Sequence, residues 1–336
     1  MKLNPYELQV IKPQQGIPWN IQQVNAPSFW PNSRGGGAVV AVVDTGIDSN
    51  HPELKGRILL TKNFTEEGLS GDSFDREGHG THVAGTIAGA NCGIGPELRI
   101  MALKVFGDSK VDENIIDAFN FIYHWNETCA PADNVVAVNC SFGAGYYDPR
   151  MAFAIRRLVN SGVAVVCAAG NSGDGNPDTS EVFSFPAYIH EVVTTGAVTK
   201  DGSIAIYSNS FDGVDLAAPG TDVYSCWPGG GYAILSGTSM ATPHITGAIA
   251  LIYDAWRRRE GSYPTEEQAV GVLMKHVKAS SLRKELVGAG ILDLSWASKK
   301  WPLWRVQMGA YYNKSGAEAT SKLVQQAGFQ TYLTKY

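Results

Sequence analysis

The chain has 336 residues, of which 44% are hydrophobic and 18% are charged, and it is rich in glycine. This composition is typical of a globular enzyme and excludes a disordered or fibrous protein, and the length suffices for one large α/β domain with small appendages. The formal net charge of −5 gives no reason to expect nucleic acid or an anionic membrane as a partner.

The sequence also lacks the patterns of secreted, membrane and metal-binding proteins. No stretch approaches the roughly 18 uninterrupted apolar residues of a membrane helix, and the N-terminus has no basic start followed by an apolar core. The five cysteines are scattered without a C-x-x-C pair, which argues against structural zinc and a full disulfide framework. We therefore expect a cytoplasmic protein from a reducing compartment.

Residues 1–23 are polar and contain three prolines that prevent a long helix. We expect an extension that is either disordered or laid in extended form on another surface. The apolar run at 38–43 then ends at Asp44, which predicts a buried parallel strand that delivers this side chain to the carboxyl edge of a sheet. Asp44 is either a site residue there or an ordinary turn or cap residue.

Two histidines lie in a glycine- and alanine-rich stretch at 78–90. The spacing of its small residues predicts a helix that packs closely on a neighbour. His82 begins the helical pattern and His79 lies in the glycine-rich lead-in. We therefore take His82 as the candidate general base, if it faces both Asp44 and Ser239, with a structural histidine as the alternative.

Strand and helix patterns alternate through the following residues, which predicts βαβ units and a largely parallel sheet. Strands are expected at 135–139, 163–166, 192–198 and 214–218, and helices at 113–125, at 151–160 and after a capping box at 265–268. Asn171 lies just beyond the second of these strands. Its amide can donate to an oxyanion, or it can be a turn asparagine.

Ser239 lies in the run Gly-Thr-Ser-Met-Ala-Thr-Pro-His at 237–244, just before an apolar helical stretch. A serine at a helix start lies beside free N–H groups and the positive end of the helix dipole. It becomes a nucleophile if a base, an orienting acid and an oxyanion donor lie nearby, and is otherwise a helix cap.

Four stretches around these candidates resemble the subtilisin-like serine proteases, or subtilases, from about residue 25 to 295, and intracellular subtilisins most closely. The stretches are Val-Val-Asp-Thr-Gly-Ile-Asp at 42–48, His-Gly-Thr-His-Val-Ala-Gly at 79–85, Ala-Ala-Gly-Asn at 168–171 and the Ser239 run. Their order, acid then histidine then serine, is that of subtilisin. The resemblance implies a three-layer α/β fold with a mostly parallel central sheet and helices on both faces.

The resemblance further implies a serine endopeptidase that works through an acyl-enzyme without an organic cofactor. Asp44, His82 and Ser239 would form the triad, and Asn171 would bind the oxyanion. Protein or peptide substrates would bind as an added strand. The implied substrate-binding residues are Ser141, Phe142, Gly143, Ala168, Ala169, Gly170 and Ser184. None of them carries a charge, so a strict Lys or Arg preference at P1 is not indicated.

An inhibitory extension is implied by the resemblance to intracellular subtilisins. Those proteins carry a Leu-Ile-Pro-Tyr motif that crosses the active site, where the proline prevents cleavage until the extension is removed. Here Leu3-Asn4-Pro5-Tyr6 stands in the matching place, with asparagine in place of isoleucine. Leu3, Pro5 and Tyr6 are the implied inhibitory residues.

Calcium is the one metal that the resemblance suggests. Subtilases often use an aspartate after His-Pro as a calcium ligand, and here Glu53 follows His51-Pro52. The partner loop at 90–93 is shorter than usual, and calcium needs six to eight oxygens. Whether Glu53 is a calcium ligand is therefore left open at the sequence level.

The last residues form a separate pattern. Residues 303–336 predict a β-α-β unit that resembles one repeat of SPOR (sporulation-related) peptidoglycan-binding domains. It would bind peptidoglycan near cell wall or spore material, pair with a second copy in a homodimer, or simply extend the protease fold. The expected domains are an extension at 1–23, a peptidase at 24–297 and this repeat. The alternative function is an inert subtilase-fold scaffold that the repeat recruits to peptidoglycan.

Overall fold

The structure is a computed structural model of the chain, and it describes residues 1–3, 7–68, 71–176, 183–298, 318 and 320–322. Met1–Lys299 form one compact unit and Lys300–Tyr336 form a second. The predicted β-α-β unit at 303–336 lies outside the described residues except for residues 318 and 320–322, which are helical. Within the described parts, the helices are too short or too polar to cross a bilayer.

Strands and helices alternate through the first unit. The strands are β1 (Lys2–Leu3), β2 (Glu7–Ile11), β3 (Val39–Asp44), β4 (Ile58–Asn63), β5 (Arg99–Lys104), β6 (Val135–Cys140), β7 (Phe142–Gly143), β8 (Ala164–Ala168), β9 (Val193–Val198), β10 (Leu216–Pro219), β11 (Val223–Trp227) and β12 (Gly231–Ser236). The helices are α1 (Trp19–Gln23), α2 (Ala26–Phe29), α3 (His79–Ala88), α4 (Val111–Thr128), α5 (Pro149–Asn160), α6 (Thr238–Glu260), α7 (Glu266–Lys275) and α8 (Lys284–Val287). Short 3-10 turns lie at Pro52–Leu54, Pro131–Asp133 and Ser295–Ser298.

Seven parallel strands form the central sheet, in the order β10-β9-β8-β6-β3-β5-β4. β3 and β6 are fully buried, as expected for apolar strands covered on both faces. The chain runs from β3 to β5 on one side and then crosses to β6 on the other. The strand order therefore switches between β3 and β6, the position at which open α/β sheets form their sites.

Helices cover both faces of this sheet. α4 and α5 bury an apolar face that includes Phe119 and Ile155 against side chains from β3, β5, β6 and β8. α3 and α6 pack on each other, and α6 also contacts β6, β8 and β9. The predicted α/β fold with a mostly parallel sheet and flanking helices is confirmed. The predicted strand at 38–43 corresponds to β3, and the predicted capping box is present at the start of α7.

A second, antiparallel sheet involves the N-terminal extension. β11 and β12 form a hairpin, and β2 pairs with β12 over Ile11↔Tyr232 to Glu7↔Ser236. The last residues of the predicted extension belong to the folded unit, because Asn20 and Ile21 are fully buried in α1. Before α1 the extension contains the strands β1 and β2, so this part is laid out in extended form, one of the two arrangements expected from the sequence.

Candidate active site

A buried acid–histidine pair lies at the carboxyl edge of the central sheet. Asp44 ends β3, His79 begins α3, and His79 Nδ1 lies 2.8 Å from Asp44 Oδ1. Thr45 N–H donates to the same oxygen at 2.7 Å. An ionised carboxylate can only accept hydrogen bonds, so Nδ1 carries the proton. In the neutral ring, Nε2 is then the nitrogen that can take a proton.

Two glycines place the start of α3 against the end of β3. Gly78, just before the helix, has φ +103°, a left-handed conformation that favours glycine. A Cβ atom on Gly80 would lie 2.2 Å from Gly46 O and 3.1 Å from Asp44 Cβ. A larger residue at position 80 would therefore push His79 away from Asp44.

The structure contradicts the prediction that His82 faces Asp44. His82 Nε2 lies 3.0 Å from the carbonyl oxygen of Val223, to which it donates, and Ser225 Oγ donates to His82 O at 2.8 Å. Burial lowers the pKa of His82 to about 3, so its ring stays neutral. The helix begins three residues earlier than the sequence pattern indicated, so His79 occupies the first helical position. His82 instead ties α3 to β11.

Ser239 lies in the first turn of α6 and is held by reciprocal hydrogen bonds with Ser141. Ser239 Oγ donates to Ser141 O at 3.0 Å, and Ser141 Oγ donates to Ser239 O at 2.8 Å. In an α-helix the Ser239 carbonyl would accept from residue 243, but Pro243 has no N–H. Ser141 Oγ therefore supplies the donor that the proline removes. Pro243 lies in the second turn of the helix.

The register between β3 and β6 brings the acid–histidine pair and Ser239 together. β3 and β6 are neighbours, with Val42 opposite Asn139. Two residues further along, Asp44 and Ser141 therefore leave the sheet side by side, at the edge where strands lie about 4.8 Å apart. Since Ser239 is bonded to Ser141, the acid–histidine pair and the serine converge at the switch between β3 and β6.

Asn171 lies on the other side of the serine. It follows β8, the strand next to β6, and its Oδ1 accepts from Thr238 N–H at 2.8 Å and from Thr238 Oγ at 2.7 Å. These bonds orient the amide through the residue that precedes Ser239 and leave Nδ2, the donor, on its other side. The side chain is therefore held by α6 in a defined orientation.

The predicted substrate-binding residues lie on β7, at the end of β8 and next to these strands. β1 pairs antiparallel with β7, with Lys2 opposite Gly143 and Leu3 opposite Phe142. The strand continues to Ala144, which pairs with Phe185 through N–H···O bonds of 2.9 Å in both directions. A Cβ atom on Gly170 would lie 3.2 Å from Ser184 Oγ. The other two, Ala168 and Ala169, are fully buried at the end of β8.

Sequence comparison agrees with this geometry. The model of the subtilase family matches residues 35–290. The chain belongs to the subtilase family.

It is 38% identical over 304 residues to an intracellular serine protease of Paenibacillus polymyxa, covering 87% of this chain and 90% of the relative. It is 36% identical over 290 residues to the major intracellular serine protease of Bacillus subtilis (strain 168), covering 83% and 88%. It is 34% identical over 294 residues to subtilisin Savinase of Lederbergia lenta, covering 85% and 100%. The chain is a serine protease.

Calcium, which subtilases commonly bind, does not fit the arrangement around Glu53. Its Oε2 accepts from Asn91 N–H at 2.6 Å, and its Oε1 accepts from Asn91 Nδ2 and from the Tyr232 hydroxyl, both at 3.1 Å. Both oxygens thus already face donors, which a metal ion would have to displace. Among the residues that the structure describes, no three His, Cys, Asp or Glu side chains group as metal ligands. Here the carboxylate itself joins the short loop to β12.

Replacing Glu53 with alanine is expected to lower the free energy of unfolding by about 2–4 kcal/mol, because buried donors of Asn91 and Tyr232 lose their acceptor. Urea unfolding measures the change. Glu53→Gln is the matched control, since it keeps one acceptor and should cost less. If millimolar calcium stabilised the unchanged protein but not Glu53→Ala, Glu53 would be a calcium ligand after all.

The charge state of His79 in this subtilase is set by two opposing effects. Burial lowers the pKa of His79, but the charge of Asp44 and its hydrogen bond outweigh burial and raise that pKa above the ordinary value. Asp75 and Glu77 add to the increase. The ring is therefore easier to protonate than a free histidine.

If His79 is the general base, peptidase activity is expected to fall tenfold per pH unit on the acid side of the raised His79 pKa, because a protonated ring cannot act as a base. Glu77→Gln is expected to move this acid limb to lower pH without changing the plateau, since Glu77 is exposed and helps to raise the pKa. A pH profile of kcat/KM measures the limb. Glu191→Gln, which removes an exposed partner of Arg156, is the control and should leave the limb in place.

Asp75 is a positioning residue that the sequence analysis missed. It is fully buried, and its Oδ1 accepts from Gly78 N–H at 2.7 Å and from the Thr45 hydroxyl at 2.8 Å. Its Oδ2 accepts from both donors of Thr81. Asp75 thus holds the lead-in to α3 and the residue after Asp44 in one network. Only the short spacing to the two histidines could have drawn attention to it.

Proposed function

We propose that this subtilase is a serine endopeptidase in which Ser239 is the nucleophile and His79, in place of His82, is the general base. His79 would take the serine proton and return it to the leaving amine, while Asp44 orients the ring and stabilises its charged form. Asn171 Nδ2 and the Ser239 N–H would bind the oxyanion. The observation that carries these roles is the buried His79–Asp44 contact at the edge where Ser239 is held.

Labelling by a serine-directed fluorophosphonate tests the nucleophile. The chain without residues 1–16 should be labelled, and the same chain with Ser239→Ala should not. Ser161→Ala in the shortened chain is the control, since it removes an exposed hydroxyl at the end of α5 and keeps the nucleophile. Labelling that persists in Ser239→Ala would assign the reaction to another residue, and no labelling of the shortened chain with Ser239 intact would favour the inert scaffold.

We also propose that the N-terminal extension keeps the enzyme latent. β1 occupies the strand position predicted for substrate, beside Phe142 and Gly143. β2 pairs with β12 up to Ser236, three residues before Ser239. These two strands lie on either side of the nucleophile, and residues 4–6 connect them. Pro5 and Tyr6, predicted inhibitory residues, lie outside the described residues.

We propose the setting and the substrates of the enzyme from its relatives. The intracellular serine proteases to which the chain is similar support a cytoplasmic role on protein or peptide substrates. Peptidoglycan binding, association with cell wall or spore material, and a homodimer rest on residues 303–336 alone and stay predictions.

A further inference from the structure

A carboxylate and a hydroxyl hold a positive charge just beyond the substrate-binding strand. The ammonium group of Met1 contacts Asp112 Oδ1 and the Tyr146 oxygen, and the Tyr146 hydroxyl donates to Asp112 Oδ2. Burial and the Asp112 charge raise the pKa of Tyr146 to about 12, so the hydroxyl remains a donor. The ammonium group, the carboxylate and the hydroxyl thus form a closed ring of three contacts. Neither Asp112 nor Tyr146 has a part in the catalysis proposed above.

The register of β1 relates this ring to a bound substrate. The ladder places Leu3 opposite Phe142 and Lys2 opposite Gly143. In a substrate with the same register, the residue opposite Ser141 lies beside the nucleophile and is P1. P2 then lies opposite Phe142 and P3 opposite Gly143. The P4 residue would occupy the position of Met1.

The side chain and the ammonium group of Met1 lie in different surroundings, the first apolar and the second charged. Its side chain packs against the main apolar core, whereas its ammonium faces Asp112. Arg150 contacts Asp148 at 2.7 Å and Glu113 at 3.4 Å, so its charge is directed to those two carboxylates. Asp112, in the first turn of α4, is thus directed to the strand end.

We propose that Asp112 and Tyr146 form a cation-binding subsite that recognises an ammonium or guanidinium group next to an apolar P4 residue. The cation is either the free amino group of P4 itself or a basic side chain at P5. This inference rests on the proposed role of 141–143 as the substrate-binding strand. The enzyme would therefore prefer substrates with a cation at P4 or P5, several residues from the scissile bond.

Four fluorogenic peptides with the same residues from P4 to P1 test the subsite on the full chain. Two of them begin at P4, one with a free amino group and one with an acetylated amino group. The other two begin at P5 with an acetylated residue, which is lysine in one and norleucine in the other. The extension competes equally with all four, so ratios of kcat/KM report selectivity. A charge-assisted contact predicts a preference of about tenfold for free amine over acetyl, for lysine over norleucine, or for both.

Variants on α4 and at its partner identify the residues. Asp112→Asn should remove the preference, and Tyr146→Phe should reduce it. Asp117→Asn removes an exposed carboxylate from the same helix and should leave it unchanged. A preference for the free amine alone, or for P5 lysine alone, supports the subsite and names its natural cation. Equal rates for all four peptides, or a preference that survives Asp112→Asn, would overturn it.

A binding measurement separates this inference from the proposed catalytic roles. Fluorescence anisotropy with Ser239→Ala measures affinity for the same peptides without hydrolysis. Hydrolysis without a cation preference would refute the subsite and leave the function intact. A cation preference in binding, with no hydrolysis by the unchanged chain, would support the subsite and refute the catalytic roles.

Discussion

His79→Ala is expected to lower kcat by about 10⁶-fold, the loss known for the catalytic histidine of subtilisin, a member of the same family. The reason is geometric. His79 Nδ1 is 2.8 Å from Asp44, whereas His82 Nε2 is 3.0 Å from the carbonyl oxygen of Val223. Only in the first arrangement is one ring nitrogen held by an acid, which is the arrangement that lets the other nitrogen act as a base.

The matched variant for this prediction is His82→Gln, whose amide can still donate to Val223. It is expected to keep kcat within about tenfold and to cost about 1–3 kcal/mol of stability, since its effect is on a buried hydrogen bond. Steady-state kinetics and urea unfolding of both variants measure the two effects. A folded His82→Gln protein with the larger loss of kcat would restore His82 as the base.

The sequence did not indicate which of the two histidines contacts Asp44. His79 and His82 are three residues apart and both lie in α3, so periodicity cannot distinguish them. The boundaries of a helix are the least certain part of a prediction from sequence, and here the start lies three residues before the predicted one. It is fixed here by the left-handed backbone of Gly78 and by the Asp75 network, which also includes Thr45, 30 residues from Asp75.

Other parts of the site could be predicted because their signals are local. Asp44 and Asn171 directly follow apolar runs that form central strands, and Ser239 lies at the start of an apolar helix. The role of Glu53 could not be predicted, because it depends on Tyr232, 179 residues away. The pairing of β2 with β12 depends on a similarly distant register.

Deleting residues 1–16 is expected to raise peptidase activity by about 100-fold. The deletion removes β1 and β2 and spares α1, whose Asn20 is buried and hydrogen-bonded to His244. A tethered segment has an effective concentration in the millimolar range, so a segment that binds with a Kd of about 10 μM would cover the site about 99% of the time. Hydrolysis of a peptide substrate measures the rise, and urea unfolding verifies the fold.

Two further variants dissect the extension. Deleting residues 1–6 removes β1 and leaves β2 on β12, so it is expected to give most of the activation if substrate-strand occupancy is the cause. A peptide of residues 1–16 added to the shorter chain should inhibit it again. If Pro5 protects the neighbouring peptide bonds of the extension, Pro5→Ala should speed self-cleavage there. N-terminal sequencing over time measures this cleavage. Equal activity of the full and shortened chains would show that Ser239 is open to substrate in both.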